Sequence, residues 1–146
     1  MKIQQKNSTE NKFNICEKLR KNGLKVTPVR IAIIEFLKKE SGPFTIQEVY
    51  QGIKHNKLKS FNIATIYRNM EKFVNAKLVS ECQLSDGTSR FEIQLSTHHH
   101  HLVCVSCKRI DPMFYCPVKI KIPDSITKGY RNISHKLEFY GICPNC

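Results

Sequence analysis

Two Cys-x-x-Cys pairs, Cys104/Cys107 and Cys143/Cys146, constrain this chain more than any other feature. Where thiols are kept reduced, such pairs serve metal or redox chemistry rather than structural disulfides. Together they can supply four thiolates to one tetrahedral zinc. The 35 residues between Cys107 and Cys143 are too many for a zinc ribbon, so a small strand-rich module must fold between the two knuckles. Neither pair has the βαβ surroundings of a thioredoxin-like redox unit. Lys108 and Arg109 follow the first knuckle, where they can offset thiolate charge. Cys16, Cys82 and Cys116 are left over.

Just before the first knuckle stands an internal run, His98-His99-His100-His101. On a strand, His99 and His101 would point to one face and His98 and His100 to the other. One short strand can then serve two metal sites, or one site and a solvated face. Imidazole suits zinc, iron, nickel, copper and cobalt, and four consecutive histidines in an apolar core would be costly. Residues 131–140 are expected as a strand leading into the second knuckle, and Pro123 should keep any helix near 124–129 short.

The N-terminal half is organised differently. Ile15, Cys16 and Leu19 fall in a short basic helix, with Phe13 at its start and Gly23 closing it. Thr27-Pro28 marks a second helix, with Thr as N-cap and Pro at the first helical position. Val29, Ile33, Ile34 and Leu37 give that helix a broad apolar face. Ser41-Gly42-Pro43 ends it. Thr45 caps a third helix, completed by Glu48 as a capping box, with Ile46, Val49, Tyr50 and Ile53 facing inward. Asn62 caps a fourth, in which Ile63, Ile66, Met70 and Phe73 recur at three- and four-residue steps. Its opposite face presents Thr65, Tyr67, Arg68, Asn69 and Lys72, groups able to reach base edges and phosphates. An amphipathic helix with a solvated face is the plain alternative. Two strand-like segments, 78–84 and 90–95, joined by the turn 85–88, favour the other reading. Helices closed by such a hairpin describe a winged helix-turn-helix, which sets its last helix in the major groove.

The net charge of +12 agrees with a polyanionic partner but does not choose between nucleic acid and an anionic membrane. It divides as +8 over residues 1–95 (17 Lys/Arg, 9 Asp/Glu) and +4 over 96–146 (7 and 3). No stretch approaches the roughly 18–20 apolar residues of a membrane span. Residues 1–14 are polar and lack the apolar region of a secretory signal, so a cytoplasmic protein without a membrane partner is expected.

Taken in order, these segments resemble the ferric uptake regulator family of metal-dependent transcriptional regulators. Gly23-Leu24-Lys25-Val26-Thr27-Pro28-x-Arg30 is similar to that family's entry to its second helix, and Ala64-Thr65-Ile66-Tyr67-Arg68-Asn69 to its recognition helix. Arg90-Phe91-Glu92 and His98-His99-His100-His101-Leu102-Val103-Cys104-x-x-Cys107 resemble its metal core, and Leu137-Glu138-Phe139-Tyr140-Gly141-Ile142-Cys143 its closing strand. The resemblance runs from about residue 13 to the C-terminus. It implies an α+β chain with a winged-helix DNA-binding domain over residues 1–95, residues 1–12 being a flexible arm. Residues 96–146 would form an α/β dimerisation domain with a structural zinc on Cys104, Cys107, Cys143 and Cys146. It implies a homodimer that represses by binding a double-stranded DNA operator when loaded with a regulatory metal: zinc or ferrous iron, with manganese a further candidate. By position, Tyr67 and Arg68 would contact DNA, supported by Arg30, Asn62, Thr65 and Asn69. Glu92, His99 and His101 would hold the regulatory metal, and His98, His100 and His135 sit where some members build a further site.

Departures bear on the signal. Members commonly supply a histidine just before the third helix, where this chain has Ser41-Gly42-Pro43-Phe44. Cys82, on the first hairpin strand, is the candidate replacement ligand, against the alternative of a small buried hydrophobe. Members usually place a glycine after the first knuckle and an acidic ligand a few residues on. Here Lys108 takes the glycine's place, and Asp111 comes one residue early or the loop is shortened. Two other functions compete: a peroxide-sensing repressor of the same family, which the missing histidine disfavours, and a metal-buffering protein with an incidental basic surface. An enzyme is not expected, because no nucleophile or general-base motif accompanies the histidines.

Overall fold

In a computed structural model the described residues are 14–40, 42–54, 61–84, 86–118 and 122–146. The expected arm (1–12), Phe13, Ser41 and Ser85 lie outside them. The chain divides into two compact units, Met1–Gln94 and Leu95–Cys146.

The first unit is helical with one hairpin. Helix α1 (14–21) buries Ile15 and Leu19. It ends in a left-handed cap at Gly23 (φ 71°), where Gly23 N–H donates to Arg20 O and Leu24 N–H to Leu19 O. Those two bonds use up carbonyls that a helix end otherwise leaves bare. Helix α2 (Pro28–Lys39) begins where Thr27 Oγ1 accepts from Arg30 N–H. Helix α3 (Ile46–Lys54) carries the expected box: Thr45 N–H donates to Glu48 Oε2 (2.7 Å) and Glu48 N–H to Thr45 Oγ1 (3.2 Å). Gly52 lets α3 press against α2, since a Cβ there would collide with the Phe36 ring.

Helix α4 (Ile63–Asn75) buries Ile66, Met70 and Phe73. It closes with the same paired bonds as α1, Lys77 N–H to Val74 O and Leu78 N–H to Phe73 O, although the left-handed position is a lysine (Lys77, φ 53°). That turn launches strand β1 (Val79–Gln83), which pairs antiparallel with β2 (Ser89–Ile93). Val79 and Phe91 close the apolar core made by α1 to α4, and an isolated bridge from Phe44 to Phe91 adds a third short partner to the hairpin. Helices followed by a two-stranded antiparallel hairpin are the element order that the winged-helix expectation called for.

The second unit is a three-stranded sheet in the order β4-β3-β5. Central β3 (His100–Cys104) pairs antiparallel with β4 (Ile110–Met113) and parallel with β5 (Glu138–Gly141). Helix α5 is a single turn, Asp124–Thr127, following Pro123 as expected. The strand expected over 131–140 is confined to 138–141. Asn132 turns into the left-handed region (φ 55°), which breaks an extended run, and only Glu138–Gly141 reach β3 as a ladder.

Candidate metal centres and DNA-reading helix

The parallel register of β3 and β5 sets Cys104 opposite Gly141, and Cys143 follows two residues later. Val105 N–H donates to Gly141 O (2.8 Å), which holds the two knuckles side by side. The four sulfurs lie within 4.8 Å of one another: Cys104 to Cys146 3.9 Å, Cys107 to Cys143 3.7 Å, Cys143 to Cys146 3.5 Å. A disulfide needs about 2.05 Å, and none of the seven cysteines is in one. Four sulfurs at zinc bond lengths of about 2.3 Å on a tetrahedron stand roughly 3.8 Å apart. The cluster therefore has the dimensions of a zinc-thiolate centre.

Electrostatics support the same reading. Cys104 is lowered to about 6, first by the Cys107 N–H and then by the Cys143 N–H, which aim at its sulfur from 3.5 and 3.3 Å; burial opposes them. Cys146 is pushed up to about 11: the Ser106 hydroxyl lowers it, but the Cys143 and Cys107 thiols, burial and Cys104 outweigh that. Packed thiols thus resist joint ionisation until a cation arrives. Arg109 is held more basic by its bond to Asp111 (2.9 Å) and by that carboxylate's charge, with Cys143 and Cys107 adding to the effect. Asp111 is spent on this ion pair, and no described metal-type cluster includes it. Lys108 adopts φ 64°, which explains why a glycine would suit that position.

The histidine run alternates as expected. The His99 and His101 rings stack edge-on at 5.1 Å, while His98, His100 and His135 form a separate group with centroids 4.5 to 5.2 Å apart. In that second group the Nε2 atoms converge: His98 to His100 3.0 Å and His98 to His135 3.3 Å. Cys116 joins them, its sulfur 3.2 Å from His135 Nε2. Cys116 has no metal-type spacing to any other ligand, so sequence reasoning left it unassigned. His100 is lowered by burial first, then by His98, His135, His99 and His101, so it is kept in the neutral form that binds metals.

On the hairpin, Cys82 lies across from Arg90 and Glu92 across from Ser80. Cys82 and Glu92 therefore share one face, with sulfur and carboxylate within 4.8 Å. Cys16 is partly buried against the helical core, a packing position rather than a site.

The exposed face of α4 carries Tyr67, Arg68 and Lys72. Asn62 and Thr65 serve the helix start: Asn62 Oδ1 accepts from Thr65 N–H and Thr65 Oγ1, both at 3.0 Å. Arg30 and Asn69 are bonded to each other rather than displayed. Arg30 is 9% exposed, its Nε donating to Asn69 Oδ1 (2.8 Å) and its Nη1 to Lys25 O (2.7 Å). Asn69 Nδ2 in turn donates to Thr65 O (2.7 Å).

Residues 21–140 match the ferric uptake regulator family. The peroxide-responsive repressor PerR of Staphylococcus saprophyticus is 32% identical over 130 residues, 88% of this chain and 86% of that one. The ferric uptake regulation protein of Neisseria gonorrhoeae is 30% identical over 138 residues, covering 92% and 94%. Among solved structures, the ferric uptake regulator of Vibrio cholerae superposes with a TM-score of 0.65 at 28% identity, covering 88% of this chain and 98% of that one.

Proposed function

The chain belongs to the ferric uptake regulator family, and from that premise we propose a homodimeric repressor, acting in the cytoplasm, whose operator binding is switched on by a regulatory metal. It is a metal-responsive, DNA-binding transcriptional regulator, in a family of regulators rather than enzymes. No helix among the described residues is long and apolar enough to cross a membrane. The observation that carries the reading is the pairing of a four-cysteine cluster of zinc dimensions with a helix whose exposed face bears Tyr67, Arg68 and Lys72.

Cys104, Cys107, Cys143 and Cys146 would hold a structural zinc that closes the second unit. The regulatory metal would draw on Glu92 and Cys82 from the hairpin and on His99 and His101 from the histidine run. His98, His100 and His135 would hold a further metal. A regulatory ion held by Glu92, Cys82, His99 and His101 would supply positive charge and favour the DNA-competent arrangement of the dimer. Moving such an equilibrium from 1:99 to 99:1 takes about 5.5 kcal/mol of differential binding. That is a fraction of the roughly 10–16 kcal/mol that structural zinc contributes in small peptides. Tyr67 and Arg68 would make the DNA contacts, while Asn62, Thr65, Asn69 and Arg30 hold their helix in place.

A peroxide-responsive repressor and a ferric uptake regulation protein match to similar extents, so overall likeness does not choose the signal. Donor chemistry supports zinc: with Cys82 as the fourth ligand, a His/His/Glu set completed by a thiolate would suit zinc better than ferrous iron. The test is operator binding at graded zinc, iron and manganese, repeated with Cys82→Ser. Zinc-activated, salt-sensitive, operator-specific binding that fails in Cys82→Ser is expected. Binding unaffected by any metal would leave a metal-buffering protein, and full zinc activation of Cys82→Ser would return Cys82 to packing.

A further inference from the structure

We propose that Cys116 is the fourth ligand of a His3Cys centre with His98, His100 and His135, and that this centre takes a zinc-class cation. The proposal rests on the reading that the three histidines hold a further metal, and it adds the ligand that decides which metal. Three segments distant in sequence converge here: the residues leading into β3, the stretch after β4, and the segment before β5. All four donor atoms lie within 4.8 Å of one another. Ligands on a tetrahedron at zinc–nitrogen and zinc–sulfur bond lengths stand roughly 3.3–3.8 Å apart. The observed separations of 3.0, 3.3 and 3.2 Å are already close to that.

Hydrogen bonding alone serves the cluster poorly. A neutral imidazole nitrogen either donates or accepts, never both. If His98 Nε2 donates to His100, its one proton can serve His135 only as the weaker arm of a bifurcated bond. If it accepts from both neighbours, His135 Nε2 has no lone pair left for the thiol. Cys116 then falls back on the Val118 carbonyl at 3.4 Å. One cation satisfies all four donors at once.

The donor set also fixes the class of metal. The cluster holds no carboxylate, so it lacks the hard oxygen that manganese favours, and nitrogen with thiolate in four-fold array suits zinc and cobalt(II). Four protein ligands leave no open position, which marks a structural clasp rather than a reactive centre. The clasp would tie residues 131–137, which form no strand, to the leading end of β3.

Cobalt(II) is the probe, added to Cys82→Ser protein that retains zinc in its knuckles, with zinc content checked before and after. The expected spectrum has the visible bands of tetrahedral cobalt and a near-ultraviolet sulfur-to-metal charge-transfer band that saturates at one equivalent per chain. Adding Cys116→Ser should abolish the charge-transfer band. It should weaken binding by more than the about 10–100-fold that loss of an outer-shell partner costs. Adding Cys116→Asp instead should keep a bound metal without that band and improve manganese relative to cobalt, which also guards against a serine variant that merely misfolds. Cobalt bound without a charge-transfer band, and weakened by His135→Ala, would retain the histidine site and overturn the thiolate. Cobalt binding indifferent to His135→Ala would overturn the histidine site and the thiolate together.

Discussion

Arg30→Met isolates what the buried arginine does. Methionine keeps most of the aliphatic stem and removes the guanidinium, leaving Asn69 Oδ1 and Lys25 O without their donor. Hydrogen bonds from a charged donor contribute about 1.5–3 kcal/mol each, so the pair totals roughly 3–6 kcal/mol. Lys25 is exposed, and water can replace the donor there, which reduces the expected loss to roughly 2–4 kcal/mol. Against a typical stability of about 5–15 kcal/mol, that is readily seen in urea denaturation of the zinc-loaded protein. The second readout is DNA binding as a function of salt. An arginine that neutralises a phosphate contributes about 0.9 to the slope of log K against log salt. A clamp that holds α4 through Asn69 contributes nothing to that slope, although its loss lowers operator preference by loosening the helix that carries Tyr67 and Arg68. Unchanged stability together with a slope reduced by about 0.9 per protomer would refute the clamp and make Arg30 a phosphate contact.

Three further outcomes are expected. Cys143→Ser should release the knuckle zinc and unfold or dissociate the second unit, followed by metal analysis and light scattering; a dimeric, zinc-loaded and thermally unchanged variant would contradict the assignment. If Arg68 reads a base, Arg68→Ala should cost about 1–3 kcal/mol per half-site and relax sequence preference, whereas unchanged binding in it and in Tyr67→Ala would remove α4 from the interface. Lys108→Gly should stabilise zinc-loaded protein by roughly 0.5–1 kcal/mol, because a left-handed residue costs about 1–2 kcal/mol and glycine gives back about 0.5–1 in chain entropy; an unchanged or lowered thermal midpoint would count against strain at that turn.

What could be read from the sequence was what local chemistry decides. Thr27-Pro28, Thr45 with Glu48, and Asn62 start their helices through bonds spanning three residues, so a short window contains the cause. The four-cysteine cluster was legible because each knuckle is itself a local turn, and only the joining of the two required the sheet. The strand over 131–140 misled for a related reason. Ile133, Leu137 and Phe139 suggest an extended apolar pattern, but pairing with β3 is decided by how far the ladder reaches, and Asn132 lies outside it. Arg30 was placed beside the DNA contacts by the resemblance alone, and its burial with bonds to Asn69 and Lys25 was not legible in the sequence. Cys116 was illegible altogether, since its partners lie at least 16 residues away along the chain and meet it through loops that no periodicity describes.

The proposed donor sets imply an order of metal loss. Four thiolates in the knuckles should bind zinc most tightly, and three imidazoles with one thiolate should follow. The set containing Glu92 mixes a hard carboxylate with softer donors, so it should bind soft metals most weakly of the three. A sensor needs that ranking: a structural site must stay filled while the regulatory one exchanges over the range of metal the cell presents. Graded chelation of fully zinc-loaded protein should therefore abolish operator binding first, with the dimer and the circular dichroism of both units intact. Cooperative unfolding should come only when the last zinc leaves, because structural zinc binding is itself folding energy. Zinc content, operator binding and ellipticity measured on the same chelator series decide the matter. Operator binding and fold lost together, at one chelator concentration, would mean that no separate regulatory metal exists and that the knuckle zinc alone supports DNA binding.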